Sequence, residues 1–290
     1  MTRVLVLLAL VLTAQAPPPE EATLVYLPRD ERMTVPVAVD GSGSHRFVID
    51  TGAQRSVIAR ELAATLALPP GRPVRLVSMT GVTTVPTARI GTLTVGPLGA
   101  LAIEAPVLAQ AALGAPGMLG IDALQGHALS IDFRRRSMTV RPAQKRPPRL
   151  AADEAEVVVT AKSFFGQLVV TDAYYRTHRI RVVIDTGTPI SLGNPALQRL
   201  VARRQELTRI RIQDVAGGEL HADYGQIAEI AIGGVTLQNL PIAFADAAPF
   251  RSFRLTEVPA LLLGMDALAL FARIDVDFDN RKIRFVRTLN

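Results

Sequence analysis

The sequence consists of two related halves, and this internal repeat limits the possible folds more than any other feature. The pentapeptide Val-Ile-Asp-Thr-Gly occurs at Val48–Gly52 and again at Val183–Gly187, 135 residues later. Each copy ends an apolar run that is typical of a buried strand. A carboxylate is costly there unless it is hydrogen-bonded or used. We therefore expect Asp50 and Asp185 to act together.

The repeat extends well beyond the pentapeptide. A strand-turn-strand pattern precedes each copy, and a short amphipathic stretch with helical spacing follows it, at Ile58–Leu68 and Pro195–Arg204. A glycine-bearing turn between two strands comes next. Each half then has an apolar-apolar-Gly-x-Asp block, at Met118–Asp122 and Leu262–Asp266, and ends in a hairpin. The two halves therefore share one order of elements.

This order predicts an all-β protein of two tandem β-barrel lobes, with short helices and a cleft between the lobes. The many short strands with turn signals exclude an alternating βαβ sheet. A segment rich in proline and charge separates the halves and is typical of a linker. We predict an N-terminal lobe over 17–142, a linker over 143–155 and a C-terminal lobe over 156–290.

The first residues have the pattern of a signal peptide. Arg3 is followed by the apolar run Val4–Leu12, which is too short for the roughly 20 residues of a membrane-spanning helix. Ala14–Ala16 is an A-x-A cleavage site, followed by prolines. We therefore expect residues 1–16 to be removed and the protein to be exported, periplasmic or secreted, without stable membrane insertion afterwards.

Composition narrows the chemistry further. The chain has no cysteine, which excludes disulfides, a cysteine nucleophile and cysteine-ligated metals, so the fold depends on its hydrophobic core. The net charge of +6 comes from scattered arginines, without a recognisable nucleic-acid-binding motif. The four histidines show no ligand spacing. We expect no metal, no cofactor and no nucleic-acid partner.

These motifs resemble those of the aspartic peptidases of the pepsin and retropepsin kind. In that family an apolar strand leads into Asp-Thr-Gly and a small or hydroxyl residue, here Ala53 and Thr188, and meets a downstream apolar-apolar-Gly block. The resemblance covers nearly the whole chain after the signal peptide. It implies a single-chain, bilobal, retropepsin-like endopeptidase, with Asp50 and Asp185 as the catalytic pair and a polypeptide as substrate.

Two carboxyl groups suit peptide hydrolysis for a physical reason. At about 3 Å apart they cannot both ionise, so they share one proton. The ionised member acts as general base on a water molecule, and the protonated member donates toward the carbonyl oxygen. This arrangement requires one aspartate from each lobe.

The residues beside the two aspartates have supporting roles in this interpretation. Gly52 and Gly187 allow close backbone approach, and Thr51 and Thr186 resemble the threonines that link the lobes in the family. Thr188 is expected to donate its hydroxyl to Asp185, which Ala53 cannot do for Asp50. We therefore predict that Asp185 ionises first.

Two glycine-bearing turns resemble the flaps that close over a bound peptide in this family. The residues expected to contact substrate there are Met79, Thr80, Gly81, Val82, Ala216, Gly217 and Gly218. The first flap carries no tyrosine, as in retropepsins. Arg55, within the first active loop, is either solvated or selects an acidic substrate side chain, and the sequence leaves both open. Asp122 and Asp266 are expected to hydrogen-bond backbone or to cap a helix.

Two further functional hypotheses remain at this point. The chain could be a peptide-binding module that keeps the fold without turnover, although both Asp-Thr-Gly copies are intact. Alternatively, two chains could pair their lobes. The linker favours a monomer, because it holds the second lobe at a high effective concentration near the first.

Overall fold

The computed structural model describes residues 22–25, 27–29, 32–96, 100–143, 156–164, 167–201 and 206–287. The predicted signal peptide at 1–16 and nearly all of the predicted linker at 143–155 lie outside these ranges, and both remain predictions. Strands dominate, and the five α-helices of the described residues have seven residues or fewer.

The first half contributes twelve strands and two helices, with a 3-10 turn at Ile121–Ala123. The strands are β1 Ala22–Val25, β2 Leu27–Arg29, β3 Arg32–Val39, β4 Ser42–Ile49, β5 Val57–Ala59, β6 Val74–Val77, β7 Val82–Val85, β8 Thr87–Thr94, β9 Ala100–Leu108, β10 Gly117–Leu119, β11 His127–Asp132 and β12 Ser137–Pro142. The helices are α1 Arg60–Thr65 and α2 Gln110–Leu113.

The second half contributes ten strands and three helices. The strands are β13 Glu156–Phe164, β14 Gln167–Tyr175, β15 His178–Ile184, β16 Leu192–Gly193, β17 Thr208–Gln213, β18 Glu219–Ile232, β19 Val235–Phe244, β20 Ala260–Leu263, β21 Arg273–Asp277 and β22 Lys282–Val286. The helices are α3 Pro195–Val201, α4 Ala248–Ser252 and α5 Met265–Leu268.

Each half closes into a six-stranded barrel. In the first lobe the ring runs β3-β4-β10-β5-β9-β8 and closes where β8 pairs with β3. In the second lobe it runs β14-β15-β20-β16-β19-β18 and closes where β18 pairs with β14. The rings correspond strand by strand, so the sequence repeat is also a structural repeat. The predicted all-β class with two barrel lobes is confirmed.

A sheet shared by both lobes joins the barrels. Its order is β1-β12-β11-β21-β22-β13, and the lobes meet where β11 pairs with β21 in antiparallel register. Asp132 and Asp277 end these two strands. The closing hairpins of the two halves therefore form one continuous platform beneath the cleft.

The core is built from aliphatic side chains and a few phenylalanines. One large cluster runs through both lobes, and its fully buried members include Phe47, Leu119, Phe244 and Phe285. Full burial of one such side chain contributes about 1.5–3 kcal/mol. This burial stabilises a fold that has no disulfide.

The helix predicted over Ile58–Leu68 is shorter than its pattern suggests. Ile58 and Ala59 lie in β5, where they pair with Val107 and Leu108 of β9, and the helix occupies only Arg60–Thr65. Strand pairing inside the barrel therefore outweighs the helical periodicity at this point. No helix among the described residues is long and apolar enough to cross a membrane.

Candidate active site

The two Asp-Thr-Gly loops lie where the central strands of the lobes end. Asp50 follows β4, and its backbone N–H donates to the carbonyl of Leu119 at 2.9 Å. Asp185 follows β15, and its N–H donates to Leu263 at 3.0 Å. The apolar-apolar-Gly blocks therefore hold the start of each loop, because they pair in parallel with the preceding strand.

Thr51 and Thr186 link the two loops across the lobe boundary. The Thr51 hydroxyl donates to the Ile184 carbonyl at 2.9 Å, and the Thr186 hydroxyl donates to the Ile49 carbonyl at 2.8 Å. Each hydroxyl also accepts the backbone N–H of the other threonine. Both residues are buried, at 3% and 0% exposure. The cross-lobe bonds expected from the family resemblance are present.

Gly52 and Gly187 show how closely the two carboxylates approach. The N–H of each glycine donates to the aspartate of its own loop, at 2.8 Å for Asp50 and 3.0 Å for Asp185. The other face of each glycine meets the aspartate of the opposite lobe. A Cβ on Gly52 would lie 2.7 Å from the Asp185 carboxyl carbon, and a Cβ on Gly187 would overlap Asp50. A side chain at either glycine would displace the opposite carboxylate.

The electrostatics of the pair are asymmetric. Burial raises the pKa of Asp50. This rise is opposed by hydrogen bonds from the Gly52 and Ala53 N–H groups, by the hydrogen bond with the Asp185 side chain and by the positive charge of Arg32. Burial and the neighbouring charge of Asp50 raise the pKa of Asp185 well above its ordinary value. The pair therefore holds one shared proton and titrates as a unit.

The Thr188 hydroxyl does not make the contact with Asp185 that was predicted for it. This hydroxyl donates to the Ile190 carbonyl at 3.1 Å rather than to Asp185, and only the backbone N–H of Thr188 favours ionised Asp185. The hydroxyl is used to shape its own loop. The predicted hydroxyl contact with Asp185 is therefore absent, and the order in which the two aspartates ionise remains a prediction.

A second pair of contacts supports each loop and was not identified from the sequence. The Ser56 hydroxyl donates to Asp122 at 2.7 Å and accepts the Gly120 N–H at 3.1 Å. Ser191 does the same with Asp266 and Gly264, at 2.6 Å and 3.1 Å. Each serine lies six residues after the aspartate of its own loop, so the sequence repeat could have identified both serines.

The role of Asp122 and Asp266 follows from these contacts. Each carboxylate accepts the backbone N–H of its serine and of the next residue in its own chain segment, Ala123 or Ala267. The N-cap residues of the helical turns are Gly120 and Gly264 instead. Of the two expected roles, backbone hydrogen bonding is therefore correct and helix capping is wrong.

The first predicted flap is a hairpin of β6 and β7. Met79, Thr80 and Gly81 lie in its turn, with Val82 at the start of β7. Met79 packs against a cluster of the second lobe, and its carbonyl accepts the N–H of Ala248 at 2.9 Å. The tip of the first flap therefore contacts the opposite lobe.

The second flap is the turn between β17 and β18, and it contains Ala216, Gly217 and Gly218. The preceding residue in this turn, Val215, packs against a cluster of the first lobe. Each flap thus contacts the lobe that did not supply it, through Met79 in the first flap and Val215 in the second.

Asp214 joins the two flap tips and was not singled out in the sequence. One carboxylate oxygen accepts the backbone N–H of Thr80 at 3.0 Å and also its hydroxyl. The other oxygen accepts the N–H groups of Ala216 and Gly218. Burial alone would raise the pKa of Asp214, but the hydrogen bonds from Thr80, Ser78 and the flap backbone lower it. Asp214 is thus an ionised latch between the lobes.

A cavity of about 430 Å³ lies between the flaps and the two aspartates. Both aspartates, Gly52, Gly187, Thr188 and Met79 line it, whereas Thr51 and Thr186 lie beneath it and are not among its lining residues. Arg55 is exposed at its first-lobe wall. Within the described part of the chain, no group of three or more histidines, aspartates or glutamates is arranged to hold a metal ion.

Each half of the chain matches a family model of aspartyl proteases. Residues 35–126 match the family described as "gag-polyprotein putative aspartyl protease". Residues 171–267 match the family described as "Aspartyl protease". Among curated proteins, no significant match to the chain was found. The two matches cover both Asp-Thr-Gly loops, both flaps and both apolar-apolar-Gly blocks.

Proposed function

The chain belongs to the retropepsin-like aspartic peptidases, and we propose that it is an exported endopeptidase that hydrolyses peptide bonds with a water molecule activated between Asp50 and Asp185. The observation that carries the proposal is the mutual approach of the two carboxylates, each packed against the glycine of the opposite loop. Such a pair holds one proton and supplies a base and an acid together.

In the first proposed step, Asp50 acts as the general base. Its ionised carboxylate accepts a proton from the water molecule, whose oxygen attacks the carbonyl carbon of the scissile bond. Protonated Asp185 donates its proton to the carbonyl oxygen. The product is a neutral tetrahedral diol, and the proton of the pair has moved from Asp185 to Asp50.

In the second step the two groups exchange roles. Asp50 donates its proton to the amide nitrogen, and Asp185 accepts a proton from one hydroxyl of the diol. The C–N bond breaks, which releases a carboxylic acid and an amine. Asp50 is again ionised and Asp185 again protonated, so the cycle needs no other proton source and no cofactor.

The flaps provide the means to hold an extended polypeptide. Met79 of the first flap and Val215 of the second line the cavity together with the aspartates, and the flap strand edges can pair with a peptide backbone. A closed flap also excludes bulk water, which strengthens the electrostatic interactions of the aspartates. We propose that residues of both tips, from Met79 to Val82 and from Ala216 to Gly218, contact the substrate.

Two features of the protein outside the site belong to the same proposal. The basic and apolar start of the sequence and its A-x-A site support export. Because one chain supplies both aspartates, we propose that the active form is a monomer, and the mass of the active species in solution tests this directly.

The test is cleavage of a diverse peptide library by the chain from residue 17 onward, from acid to neutral pH, with products identified by mass. We expect cleavage that Asp50→Asn abolishes and that Asp246→Asn, at an exposed aspartate paired with Arg251, leaves intact. Binding of a transition-state analogue without any product would instead identify a peptide-binding module. Cleavage that survives Asp50→Asn would refute the proposed chemistry.

A further inference from the structure

The two walls of the cavity differ in charge although the lobes are repeats. Arg32, Arg55 and Arg75 line the first-lobe wall. Among the described residues that line the second-lobe wall there is no lysine, arginine or histidine. That wall presents apolar side chains instead, such as Ile212 and Phe253. A symmetric fold thus encloses an electrostatically asymmetric cleft.

Arg55 and Ile190 occupy equivalent positions and show this difference most clearly. Each lies 135 residues from the other and directly precedes the serine that supports its loop. The backbone of Arg55 packs against Gly120, and the backbone of Ile190 packs against Gly264. Ile190 packs against the apolar cluster of its lobe, whereas Arg55 is exposed to the cavity.

The flap strands differ in the same sense. Arg75 on β6 lines the cavity, while Arg211 on β17 is not among the lining residues and pairs with Glu219 at 3.8 Å. Within the described residues, Arg55 and Arg75 form no ion pair with a carboxylate. The cavity therefore contains two cationic side chains that pair with no carboxylate of the described residues.

The acidic residues that line the cavity do not supply the missing partner. They are Asp50, Asp185 and Asp214. The first two share a proton, and Asp214 is engaged by the tips of both flaps. Arg32 is different from the other two arginines, because it donates to the Leu113 carbonyl at 3.0 Å and acts on Asp50.

We propose that Arg55 and Arg75 bind an acidic side chain of the substrate on one side of the scissile bond, while the second-lobe wall binds an apolar side chain on the other side. This rests on the proposed peptidase function. The pseudo-two-fold axis of the aspartates relates the two halves of an extended peptide, so Arg55 and Ile190 face opposite sides of the bond. A guanidinium binds a carboxylate through two parallel hydrogen bonds, which gives geometric specificity as well as affinity.

The test measures the residue preference at each position around the cleaved bond, with a library that varies acidic, basic and apolar residues. We expect aspartate or glutamate to be preferred on one side only, with apolar residues preferred on the other. Arg55→Ile copies the second-lobe residue and, combined with Arg75→Gln, should raise KM for the acidic substrate about 10- to 100-fold. The same pair of changes should raise KM much less for an apolar control peptide, so the preference for the acidic substrate over the apolar one should fall.

Arg211→Gln is the matched control, because it removes an arginine from the equivalent flap strand outside the cavity. The Arg211→Gln variant should keep the same preference for acidic residues in the substrate. Active protein without an acidic preference, or with one that survives the double change, overturns the inference and leaves the peptidase proposal standing. If no peptide is cleaved, the proposed function fails, and the binding of acidic and neutral fluorescent peptides to the chain decides the inference. Equal binding of both peptides overturns it.

Discussion

The Thr51 hydroxyl accepts the backbone N–H of Thr186 at 3.2 Å, and the Thr186 hydroxyl accepts the backbone N–H of Thr51 at 3.1 Å. Because each hydroxyl also donates to a carbonyl of the other lobe, four hydrogen bonds cross the boundary directly beneath the aspartates. The relative position of the two carboxylates is therefore set by buried side chains that do not face the cavity.

Removal of either hydroxyl should weaken this link. Thr51→Val and Thr186→Val each leave a buried N–H and a buried carbonyl without a partner, at a cost of about 1–3 kcal/mol. The double variant should cost less than the sum of the two, since each hydroxyl bonds the backbone of the other threonine and the four bonds form one network. Denaturant unfolding gives the free energy of unfolding of the two single variants and the double variant. Thr236→Val, at an exposed strand position, is the control. Strict additivity would contradict the shared network.

Arg32 should control the acid limb of the pH–rate profile. Its positive charge lowers the pKa of Asp50, which must be ionised to act as base. Arg32→Gln removes that charge, so the pKa of Asp50 rises and the acid limb moves to higher pH. Arg32→Lys keeps the charge and should keep the limb near its original position. An acid limb that is identical in all three proteins would show that Arg32 does not act on Asp50.

Thr188 provides the opposite expectation. Its hydroxyl donates to the Ile190 carbonyl and not to Asp185. Thr188→Ala should therefore leave both limbs of the pH–rate profile in place and cost about 0.5–1.5 kcal/mol of stability from the lost hydrogen bond. The same titration of kcat/KM checks it. A shift of a limb would restore the role that the sequence suggested for this hydroxyl.

The flap latch should act on substrate binding. Asp214→Asn replaces one acceptor oxygen with a donor, so one flap tip loses its partner. We expect KM to rise about tenfold or more, because charge-assisted hydrogen bonds contribute about 1.5–3 kcal/mol. Thr80→Val removes only the bond from the Thr80 hydroxyl and should have a smaller effect. Steady-state kinetics separate KM from kcat, and equal KM values in all three proteins would exclude a latch.

The latch also has a defined pH dependence. The pKa of Asp214 is lowered in the folded protein. Its contribution to stability is therefore present above the ordinary aspartate pKa and is lost only as pH falls through the lowered pKa. Proteolysis of the flap turns should therefore stay slow at mildly acidic pH. Rapid cleavage at Ser78–Gly81 in that range would contradict an ionised latch.

The catalytic pair should reduce stability at neutral pH. The pKa of Asp185 is raised in the folded protein. Its contribution to stability is therefore present below the ordinary aspartate pKa and is lost as pH rises through the raised pKa. Asp185→Asn stays neutral and can still donate toward Asp50. It should raise the melting temperature by ~2–4 °C for each kcal/mol gained, and the gain should vanish in acid. A destabilised variant at neutral pH would argue against a raised pKa.

Much of this site is readable from the sequence because the repeat places equivalent residues in equivalent positions. The aspartates, the cross-lobe threonines and both flap turns are of this kind. Ser56 and Ser191 also occupy equivalent positions, since each lies six residues after its aspartate. Their roles were missed because serine near a turn is common and its partner, Asp122 or Asp266, is distant in sequence.

The differences between the lobes are harder to predict. The influence of Arg32 on Asp50 depends on tertiary contact between β3 and the first active loop, which no sequence pattern marks. The direction of the Thr188 hydroxyl is a choice between two nearby acceptors. The latch requires Asp214 to meet Thr80 of the other lobe. Only the latch depends on how the lobes dock, whereas the other two depend on side-chain placement within one lobe.

The most direct test of the shared-proton account is the pH dependence of kcat/KM for one cleaved peptide, compared with Asp185→Asn. Because the pKa values of both aspartates are raised, we predict a bell-shaped profile with both limbs above the ordinary aspartate pKa of about 3.9. Asp185→Asn should reduce kcat by about 10²–10⁴-fold at every pH. A profile with a single limb, or a variant that keeps its activity at neutral pH, would contradict a catalytic pair that shares one proton.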